Sequence, residues 1–304
     1  MQRVIVTGGS GFIGSHVVDR LVKDGLEVIV IDNESAECNN EFYYNDSAKY
    51  YKYNIEDYDL IEPLFKGVDY VFHLAAESRI QPTLERPVKA CMTNIIGTCN
   101  VLEASRRNNI KRVMYSSTSS AYGLKNKIPL KETMHRDCLN PYSVTKVGAE
   151  DLCKMYYTLY GLETVIFRYF NVYGERQPLK GQYAPVVGLF LEMKKAGKSM
   201  TVVGDGLQTR DYTYVKDVVE ANILAMHSDS KEIFGEIFNV GTGTNHSVLD
   251  LVGMIEGKCI HLPSRSGEAR DTLANNNKIV NKLGWLPKET IDNWILKYKK
   301  ENNI

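Results

Sequence analysis

The chain has 304 residues, of which 43% are hydrophobic and 24% charged, a composition typical of a folded globular protein and not of a disordered one. Its 37 basic and 37 acidic residues cancel, so no general electrostatic attraction to nucleic acid or to an acidic membrane surface is expected. An anionic ligand must therefore be held by a local site.

The first residues and the cysteines give an expectation about the compartment. Residues 1–3 lead straight into an apolar run without a charged leader, and no apolar run approaches the ~20 residues needed to span a bilayer. The six cysteines form no Cys-x-x-Cys pair and no Cys/His cluster with zinc-ligand spacing. We expect a cytoplasmic protein without a metal site, whose cysteines are reduced and mostly buried.

The first apolar run, residues 4–6, leads into a glycine-rich turn. Gly8, Gly11 and Gly14 are spaced three apart, and a helical pattern follows them. Backbone without Cβ is needed where the chain turns, where it meets phosphates and where helix packs on strand, and the helix N-terminus supplies N–H groups. The turn therefore predicts a site for the pyrophosphate of a dinucleotide, although its spacing differs from Gly-x-Gly-x-x-Gly.

A second apolar run, residues 28–31, ends at Asp32. This is about the distance downstream at which an acid binds the adenosine ribose hydroxyls and repels a 2′-phosphate. NAD, and not NADP, is the expected cofactor.

Short Val/Ile-rich runs alternate with longer amphipathic segments over residues 1–170. The runs lie near 3–7, 27–31, 69–73, 111–115 and 163–168. The alternation predicts an α/β fold with a doubly wound parallel sheet of Rossmann type, whose ligand crevice lies at the carboxyl ends of the strands. His73, at the end of its run, is interpreted as a packed strand-end residue and not as a ligand.

Beyond residue 170 the pattern loosens and glycine, proline and asparagine become common in the loops. We predict that residues 1–170 form the dinucleotide-binding domain and residues 171–304 mainly a smaller, interleaved substrate-binding lobe. The interleaving follows from a late apolar run, which predicts that a strand at 236–241 returns to the sheet.

Two long, substantially apolar helices are predicted at 87–108 and 141–160, each beginning at a proline in its first position. One side of each helix should cover the sheet. We expect the outer sides to pack against a second copy of the chain, which would give a homodimer.

A hydroxyl-rich segment, residues 116–120, follows one predicted strand, and a Tyr-x-x-x-Lys pair lies downstream. Tyr142 and Lys146 are one helical turn apart and share a face. A phenol with an ordinary pKa of ~10 is a poor base at neutral pH, but nearby cations favour its anion. Lys146 and an oxidised nicotinamide would supply that charge, and Thr118 would orient a substrate alcohol toward the phenolate.

Together these motifs resemble the extended short-chain dehydrogenases/reductases, in particular the nucleotide-sugar epimerase/dehydratase family and its UDP-hexose 4-epimerases. The family motifs occur in order over nearly the whole chain, at residues 7–14, 73–76, 116–118, 142–146, 168–174 and 204–211.

The resemblance implies a catalytic set of Thr118, Tyr142 and Lys146, with Lys146 also binding the nicotinamide ribose. The expected cofactor contacts are Gly8, Gly11, Phe12, Ile13, Gly14, Asp32, Asn33, Asn54, Ile55, Leu74, Ala75, Ala76, Tyr142 and Lys146. The expected contacts to the nucleotide-sugar substrate are Thr118, Asn171, Arg210, Arg265, Glu268 and Thr272.

One of these cofactor positions departs from the family pattern. Where many relatives have an acid, Asn54 stands before Ile55. We expect its amide to meet the adenine edge instead.

The two residues after Thr118 bear on the reaction. Family dehydratases carry Asp-Glu there, because removal of water between C5 and C6 needs an acid and a base beyond the tyrosine. Here Ser119 and Ser120 fill those places. The remaining residues suffice for C4 epimerisation of a UDP-sugar through a transient 4-keto intermediate.

Thr272 bears on the choice of sugar. In the epimerase pattern its position lies beside the C2 substituent, where a large aromatic residue restricts the site to plain hexoses. Because threonine is small, we expect activity on UDP-N-acetylglucosamine and UDP-N-acetylgalactosamine, alongside UDP-glucose and UDP-galactose.

Three alternatives remain. A UDP-glucuronate 4-epimerase would share the catalytic residues and add a cationic partner for the sugar carboxylate, which the sequence does not place. A 4,6-dehydratase is disfavoured by Ser119 and Ser120. A non-catalytic NAD-binding sensor is disfavoured because both Tyr142 and Lys146 are present.

Overall fold

The computed structural model describes residues 2–37, 39, 41–179, 185–263 and 269–304. The strands are β1 (Arg3–Thr7), β2 (Glu27–Ile31), β3 (Lys49–Tyr51), β4 (Tyr70–His73), β5 (Arg112–Thr118), β6 (Glu163–Tyr169), β7 (Val172–Tyr173), β8 (Met200–Val203), β9 (Thr209–Asp211), β10 (Thr213–Tyr214), β11 (Glu236–Val240), β12 (Asn245–Ser247) and β13 (Cys259–Leu262).

The α-helices are α1 (Phe12–Lys23), α2 (Tyr58–Ile61), α3 (Ile80–Glu85), α4 (Pro87–Cys91), α5 (Thr98–Arg107), α6 (Pro141–Tyr160), α7 (Val186–Lys195), α8 (Val215–His227), α9 (Val248–Ile255), α10 (Asn277–Leu283) and α11 (Ile291–Asn302). A π-helical segment, Met92–Gly97, joins α4 to α5, and short 3₁₀ turns occur at Glu62–Phe65, Ser119–Tyr122 and Lys231–Ile233.

Seven strands form one sheet in the order β11-β6-β5-β4-β1-β2-β3, and every neighbouring pair is parallel. The strand order reverses between β1 and β4, where the chain crosses from one half of the sheet to the other. Ligands of such sheets bind outside the carboxyl ends of the strands at this reversal. The doubly wound α/β fold predicted from the sequence is confirmed.

Helices cover both faces of the sheet. On one face α1 and α8 pack together over a cluster that includes Val6, Val30 and Phe72, and on the other α5 and α6 pack over Ile5, Val71 and Ile166. All six side chains are buried. Each contributes roughly 1.5–3 kcal/mol of hydrophobic stabilisation, which holds the strand ends in fixed positions.

The later part of the chain has its own apolar cluster, which includes Tyr173, Phe190, Leu251 and Trp294. Small sheets pair β9 with β12 and β8 with β13 in this part. Strand β11 lies at the end of the large sheet beside β6. The assignment of residues 1–170 and 171–304 to two domains stays a prediction.

The structure differs from the sequence expectations at three places. The helix expected at 87–108 contains the π-helical turn. Strand β3 was not predicted, because its residues are half-exposed and form no apolar run. The expectation of mostly buried cysteines is wrong for the described thiols, because only Cys153 is buried, Cys91 is exposed, and Cys99, Cys138 and Cys259 are intermediate.

Cys91 is exposed because it ends α4, a helix in which only Ala90 is buried. All five described thiols are free, and Cys38 lies outside the described residues. None of the described helices is both long enough and apolar enough to cross a bilayer. The expected cytoplasmic location stays a prediction.

Candidate active site

A cavity of about 730 Å³ opens at the carboxyl ends of the central strands. Its volume lies within the range of small-molecule and cofactor sites. Fifteen of the residues expected from the sequence line it: Gly8, Gly11, Phe12, Ile13, Gly14, Asp32, Asn33, Ile55, Leu74, Ala75, Ala76, Thr118, Tyr142, Lys146 and Asn171. The cavity therefore brings the expected cofactor and catalytic residues into one space.

The three glycines of the first turn serve different purposes. Gly8 has a φ of +72°, and a Cβ there would lie 2.7 Å from the backbone nitrogen of Ala75. A Cβ on Gly14 would lie 2.1 Å from the carbonyl oxygen of Gly8. At Gly11 the nearest atom would be 3.5 Å away, an ordinary contact, so packing does not require glycine there. Gly11 lines the cavity at the start of α1, where a missing side chain leaves room for a phosphate.

Asp32 follows β2, and its carboxylate is hydrogen-bonded to the glycine-rich turn. Its Oδ2 accepts a hydrogen bond from the backbone nitrogen of Ser10 (3.0 Å) and its Oδ1 from that of Glu34 (2.8 Å). Burial raises the pKa of Asp32, while these two hydrogen bonds lower it. The carboxylate is thus fixed in orientation at the cavity wall, which fits an acceptor for ribose hydroxyls.

Asn54 lies away from the cavity lining. Its Oδ1 accepts a hydrogen bond from Asn33 (2.8 Å) and its Nδ2 donates to Asp57 (3.0 Å). Two neighbours, Ile55 and Glu56, do line the cavity. The contact between Asn54 and adenine stays a prediction, and it would require one of these two hydrogen bonds to be exchanged.

His73 is a fully buried link behind the glycine turn. Its Nδ1 lies 2.6 Å from the hydroxyl of Thr7 and its Nε2 lies 2.9 Å from the hydroxyl of Thr98. Because Thr98 donates its own proton to the carbonyl of Asn94 (2.7 Å), we assign the ring proton to Nε2. Burial lowers the pKa of His73 to about 3, so the ring is neutral at physiological pH and acts as a packed strand-end residue.

The catalytic helix α6 has a well-formed start. The Asn140 side chain accepts a hydrogen bond from the backbone nitrogen of Ser143, whose hydroxyl reaches back to the Asn140 backbone, and Pro141 occupies the first turn. This cap fixes the entry of the helix, and with it the position of Tyr142 at the cavity.

Tyr142 and Thr118 both line the cavity. Burial raises the pKa of Tyr142, while its hydrogen bond with Thr118 and the positive charge of Arg79 lower it. Thr118 ends β5, and its side-chain oxygen also accepts a hydrogen bond from the backbone nitrogen of Ser120 (3.1 Å). The phenol therefore has a neutral hydrogen-bond partner and a nearby cation.

Lys146 lies one turn further along α6 and is 3% exposed. Its Nζ lies 4.3 Å from the centre of the Tyr115 ring, a cation–π contact. Burial lowers its pKa to about 7, against the opposing effects of Cys153 and Glu150. A small change in the surroundings of Lys146 can therefore change its charge near neutral pH.

A second buried charge cluster follows on the same helix. Arg168 on β6 donates two hydrogen bonds to the carboxylate of Glu150, from Nε (2.8 Å) and Nη2 (2.7 Å), and the hydroxyl of Ser117 donates a third (2.6 Å). Both charged side chains are at most 1% exposed. The cluster ties β5, β6 and α6 together beneath Thr118 and Lys146.

The described members of the expected substrate set are Asn171, Arg210 and Thr272, of which the last two lie outside the cavity lining. Asn171 lines the cavity, has an uncommon φ of +24°, and donates to the Thr272 hydroxyl (3.3 Å). Arg210 lies on β9, where its Nη1 donates to the carbonyls of Thr209 (2.9 Å) and Arg270 (3.0 Å). Arg265 and Glu268 lie outside the described residues.

Sequence reasoning missed several residues of the site. Arg79 and Glu56 line the cavity, and the negative charge of Glu150 raises the pKa of Lys146. Arg79 has no motif of its own, and only its place shortly after the strand end at His73 would have pointed to it. Among the described residues, no group of three or more His, Cys, Asp or Glu side chains is placed to hold a metal ion.

The fold and the cavity thus define a dinucleotide-binding α/β protein with a threonine, tyrosine and lysine at its centre. Comparisons with known proteins agree with this class. The NAD dependent epimerase/dehydratase family matches residues 4–241. The UDP-glucose 4-epimerase of Mycolicibacterium smegmatis is 35% identical to this chain, and the alignment covers 97% of both.

Solved structures are also similar over the whole length. The UDP-glucose 4-epimerase of Thermotoga maritima, determined with UDP-glucose, is 36% identical, with a TM-score of 0.92 over 100% of both chains. The UDP-N-acetylglucosamine 4-epimerase of Methanobrevibacter ruminantium M1, in complex with UDP-N-acetylmuramic acid, is 34% identical, with a TM-score of 0.91 over 98% of this chain and 97% of that one. The chain belongs to the NAD-dependent epimerase/dehydratase family.

Proposed function

We propose that this protein is an isomerase, an NAD-dependent 4-epimerase of UDP-sugars that works through a transient 4-keto sugar. The observation that carries the proposal is the shared cavity, in which Thr118, Tyr142 and Lys146 face the same space as the glycine turn. The family and the 4-epimerases similar to this chain over its full length support the same reaction.

Tyr142 is the base of the reaction and accepts the proton of the sugar C4 hydroxyl. Thr118 hydrogen-bonds to the phenol and orients the sugar alcohol toward it. Lys146, held against Tyr115, supplies positive charge that favours the phenolate. When the proton returns from Tyr142 to the C4 oxygen of the turned sugar, one cycle is complete.

The residues that would hold NAD fit the cofactor. Gly11 and the start of α1 would face its pyrophosphate, Asp32 its adenosine ribose, and Tyr142 and Lys146 its nicotinamide ribose. When bound there, NAD would supply the hydride acceptor and donor for C4 of the sugar.

The substrate contacts extend from the same cavity. Asn171 and Arg210, together with Arg265 and Glu268, would hold the nucleoside diphosphate and its ribose. The two arginines suit the phosphates, because guanidinium groups bind phosphates bidentately. Thr272 is hydrogen-bonded to Asn171, and its small side chain would leave room beside the sugar C2 for an N-acetyl group. We infer that both UDP-N-acetylhexosamines and UDP-hexoses are substrates.

The 4,6-dehydratase alternative is not supported. Ser119 and Ser120 line the cavity beside Thr118, where elimination of water would need an acid and a base. At these two positions the protein offers neutral hydroxyls in place of the Asp-Glu pair of the dehydratases.

We also propose a homodimer formed through the helices at 87–107 and 141–160. Val88, Met92 and Ile96 are 74%, 45% and 45% exposed and recur at every fourth residue, so they lie on one side of the first helical segment. Val144 on α6 is 53% exposed. A second copy that buries these side chains would gain hydrophobic stabilisation.

Sedimentation velocity tests the dimer. Val88→Lys should shift the protein toward the monomer, while Leu296→Lys, at a 59% exposed apolar position on α11, should leave its mass unchanged. A wild-type protein that sediments as a monomer at all concentrations would refute the proposal.

A proton NMR time course tests the reaction. Purified protein is incubated separately with UDP-N-acetylglucosamine and UDP-glucose, first without and then with added NAD, and Tyr142→Phe serves as the blank. Formation of the galacto epimers by the wild type alone supports 4-epimerisation. Turnover of UDP-glucose without any turnover of the N-acetylated sugar would remove the inference drawn from Thr272.

A further inference from the structure

Arg79 lines the same cavity as Thr118, Tyr142 and Lys146. It follows the cofactor-lining segment at residues 74–76 and stands just before α3. Helix α3, which begins directly after Arg79, packs against α6, the helix that carries Tyr142, and the positive charge of Arg79 lowers the pKa of Tyr142. Because Tyr142 takes the C4 proton in the proposed reaction, Arg79 is placed to meet the sugar in the shared cavity.

The guanidinium of Arg79 has one buried donor without a partner in the described part of the chain. Its Nε is buried and has no hydrogen-bond partner among the described residues, and no ion pair joins Arg79 to a described carboxylate. A buried donor without a partner destabilises a protein, more so when it is charged, and unsatisfied donors of this kind concentrate at functional sites. An anionic ligand would remove that cost.

Few other cations face the cavity. Of the described lysines and arginines, Arg79 and Lys146 line it. Lys146 is engaged with the Tyr115 ring, and its pKa of about 7 leaves it only partly charged at neutral pH. The guanidinium of Arg79 therefore adds a second basic group to the described lining of the cavity.

We propose that Arg79 binds a carboxylate carried by the sugar of the substrate, so that the enzyme also epimerises uronate-type nucleotide sugars. The proposal rests on the 4-epimerase function and names a substrate class for the same site. Guanidinium and carboxylate match in a bidentate geometry, and such charge-assisted hydrogen bonds are about twice as strong as neutral ones. A neutral hydroxymethyl group at C6 can satisfy Arg79 only in part.

The test compares UDP-glucuronate with UDP-glucose, which differ at C6 alone, on the NAD-loaded protein. The measured quantity is the ratio of kcat/KM for the uronate to kcat/KM for the glucose. Any effect of Arg79 on the proton affinity of Tyr142 acts on both substrates and cancels in this ratio. The ratio therefore isolates the contact to the carboxylate.

Arg79→Gln should lower the ratio roughly 10- to 100-fold, the range of a lost charge-assisted hydrogen bond. Arg79→Lys should lower it less, because the charge remains and the planar fork is lost. The matched control is Arg86→Gln, which removes the same charge from the neighbouring segment, where Arg86 is 51% exposed and pairs with Glu37 at 3.5 Å. Its ratio should equal that of the wild type.

A wild-type protein that epimerises UDP-glucose but not UDP-glucuronate would overturn the role of Arg79 and leave the proposed function intact. An unchanged ratio in Arg79→Gln would do the same. If none of the UDP-sugars is epimerised, the proposed function fails and this inference fails with it. Should Arg79→Gln not fold, competition on the wild type decides, because UDP-glucuronate must then inhibit UDP-glucose turnover at lower concentrations than UDP-galactose does.

Discussion

The side-chain amide of Asn171 donates a hydrogen bond of 3.3 Å to the hydroxyl of Thr272, although 101 residues separate them. The backbone nitrogen of Asp211 lies 3.4 Å from the same hydroxyl. Both Asn171 and Thr272 were expected to face the substrate, and this hydrogen bond fixes Thr272 relative to a residue of the cavity wall.

Thr272→Tyr should reduce kcat/KM for UDP-N-acetylglucosamine at least tenfold more than for UDP-glucose, because the larger ring fills the space beside the sugar C2. Thr272→Ser, which keeps the hydroxyl and the small size, is the control and should retain both activities. The NMR time course with each sugar measures the effect. Equal losses on both sugars in Thr272→Tyr would contradict the assignment of this position.

Asp211 holds the loops around Arg210. Its carboxylate accepts hydrogen bonds from the backbone nitrogens of Thr242 (2.8 Å), Gly243 (3.0 Å) and Ala274 (3.1 Å). Asp211→Asn turns one acceptor into a donor that faces other donors, which should cost on the order of 1–3 kcal/mol of stability. It should raise KM for the UDP-sugar more than it lowers kcat.

Steady-state kinetics and urea unfolding measure both effects of Asp211→Asn. Asp205→Asn is the comparison, since Asp205 forms a solvent-exposed ion pair with Arg270, and such pairs contribute little to stability. Equal effects of the two substitutions would show that Asp211 does not organise the substrate loops.

The effects of Glu150 and Arg168 on stability should be strongly coupled. Glu150→Gln or Arg168→Met alone leaves a buried charge without its partner and should destabilise the protein by about 3–5 kcal/mol. The double variant removes both charges and should lose much less than the sum of the single losses. Urea unfolding of the four proteins measures this coupling, and additive losses would argue against it.

The buried Lys146 is expected to lower the free energy of unfolding, although the reaction needs this residue. Its pKa of about 7 in the folded protein lies below the ordinary 10.5, so the unfolded chain binds the proton more tightly. The cost, roughly 5 kcal/mol at most, is fully present below pH 7 and disappears as the pH rises from about 7 to 10.5. Lys146→Met removes it.

The cofactor-free Lys146→Met protein should therefore be inactive but more stable than the cofactor-free wild type at pH 6.5, with a difference that shrinks toward pH 9.5. Urea unfolding at both pH values measures the difference. A difference that grows with pH would have the wrong sign for a buried lysine of lowered pKa.

The sequence by itself determined the class of fold and the chemistry. Local patterns carry that information, since apolar runs form strands, glycine spacing reports a turn without Cβ atoms, and Tyr142 and Lys146 must share a face one helical turn apart. It did not reveal β3, whose half-exposed residues depend on pairing with β2 for their conformation.

Only the tertiary structure decided which distant residues meet. The contact of Asn171 with Thr272, the pairing of Glu150 with Arg168 and the cavity shared by Arg79 and Tyr142 join segments that come together through strand order and helix packing. Burial was decided there too, since the pKa of Lys146 and the exposure of Cys91 depend on what packs around them. The local sequence does not specify these neighbours, because desolvation and packing are properties of the assembled fold.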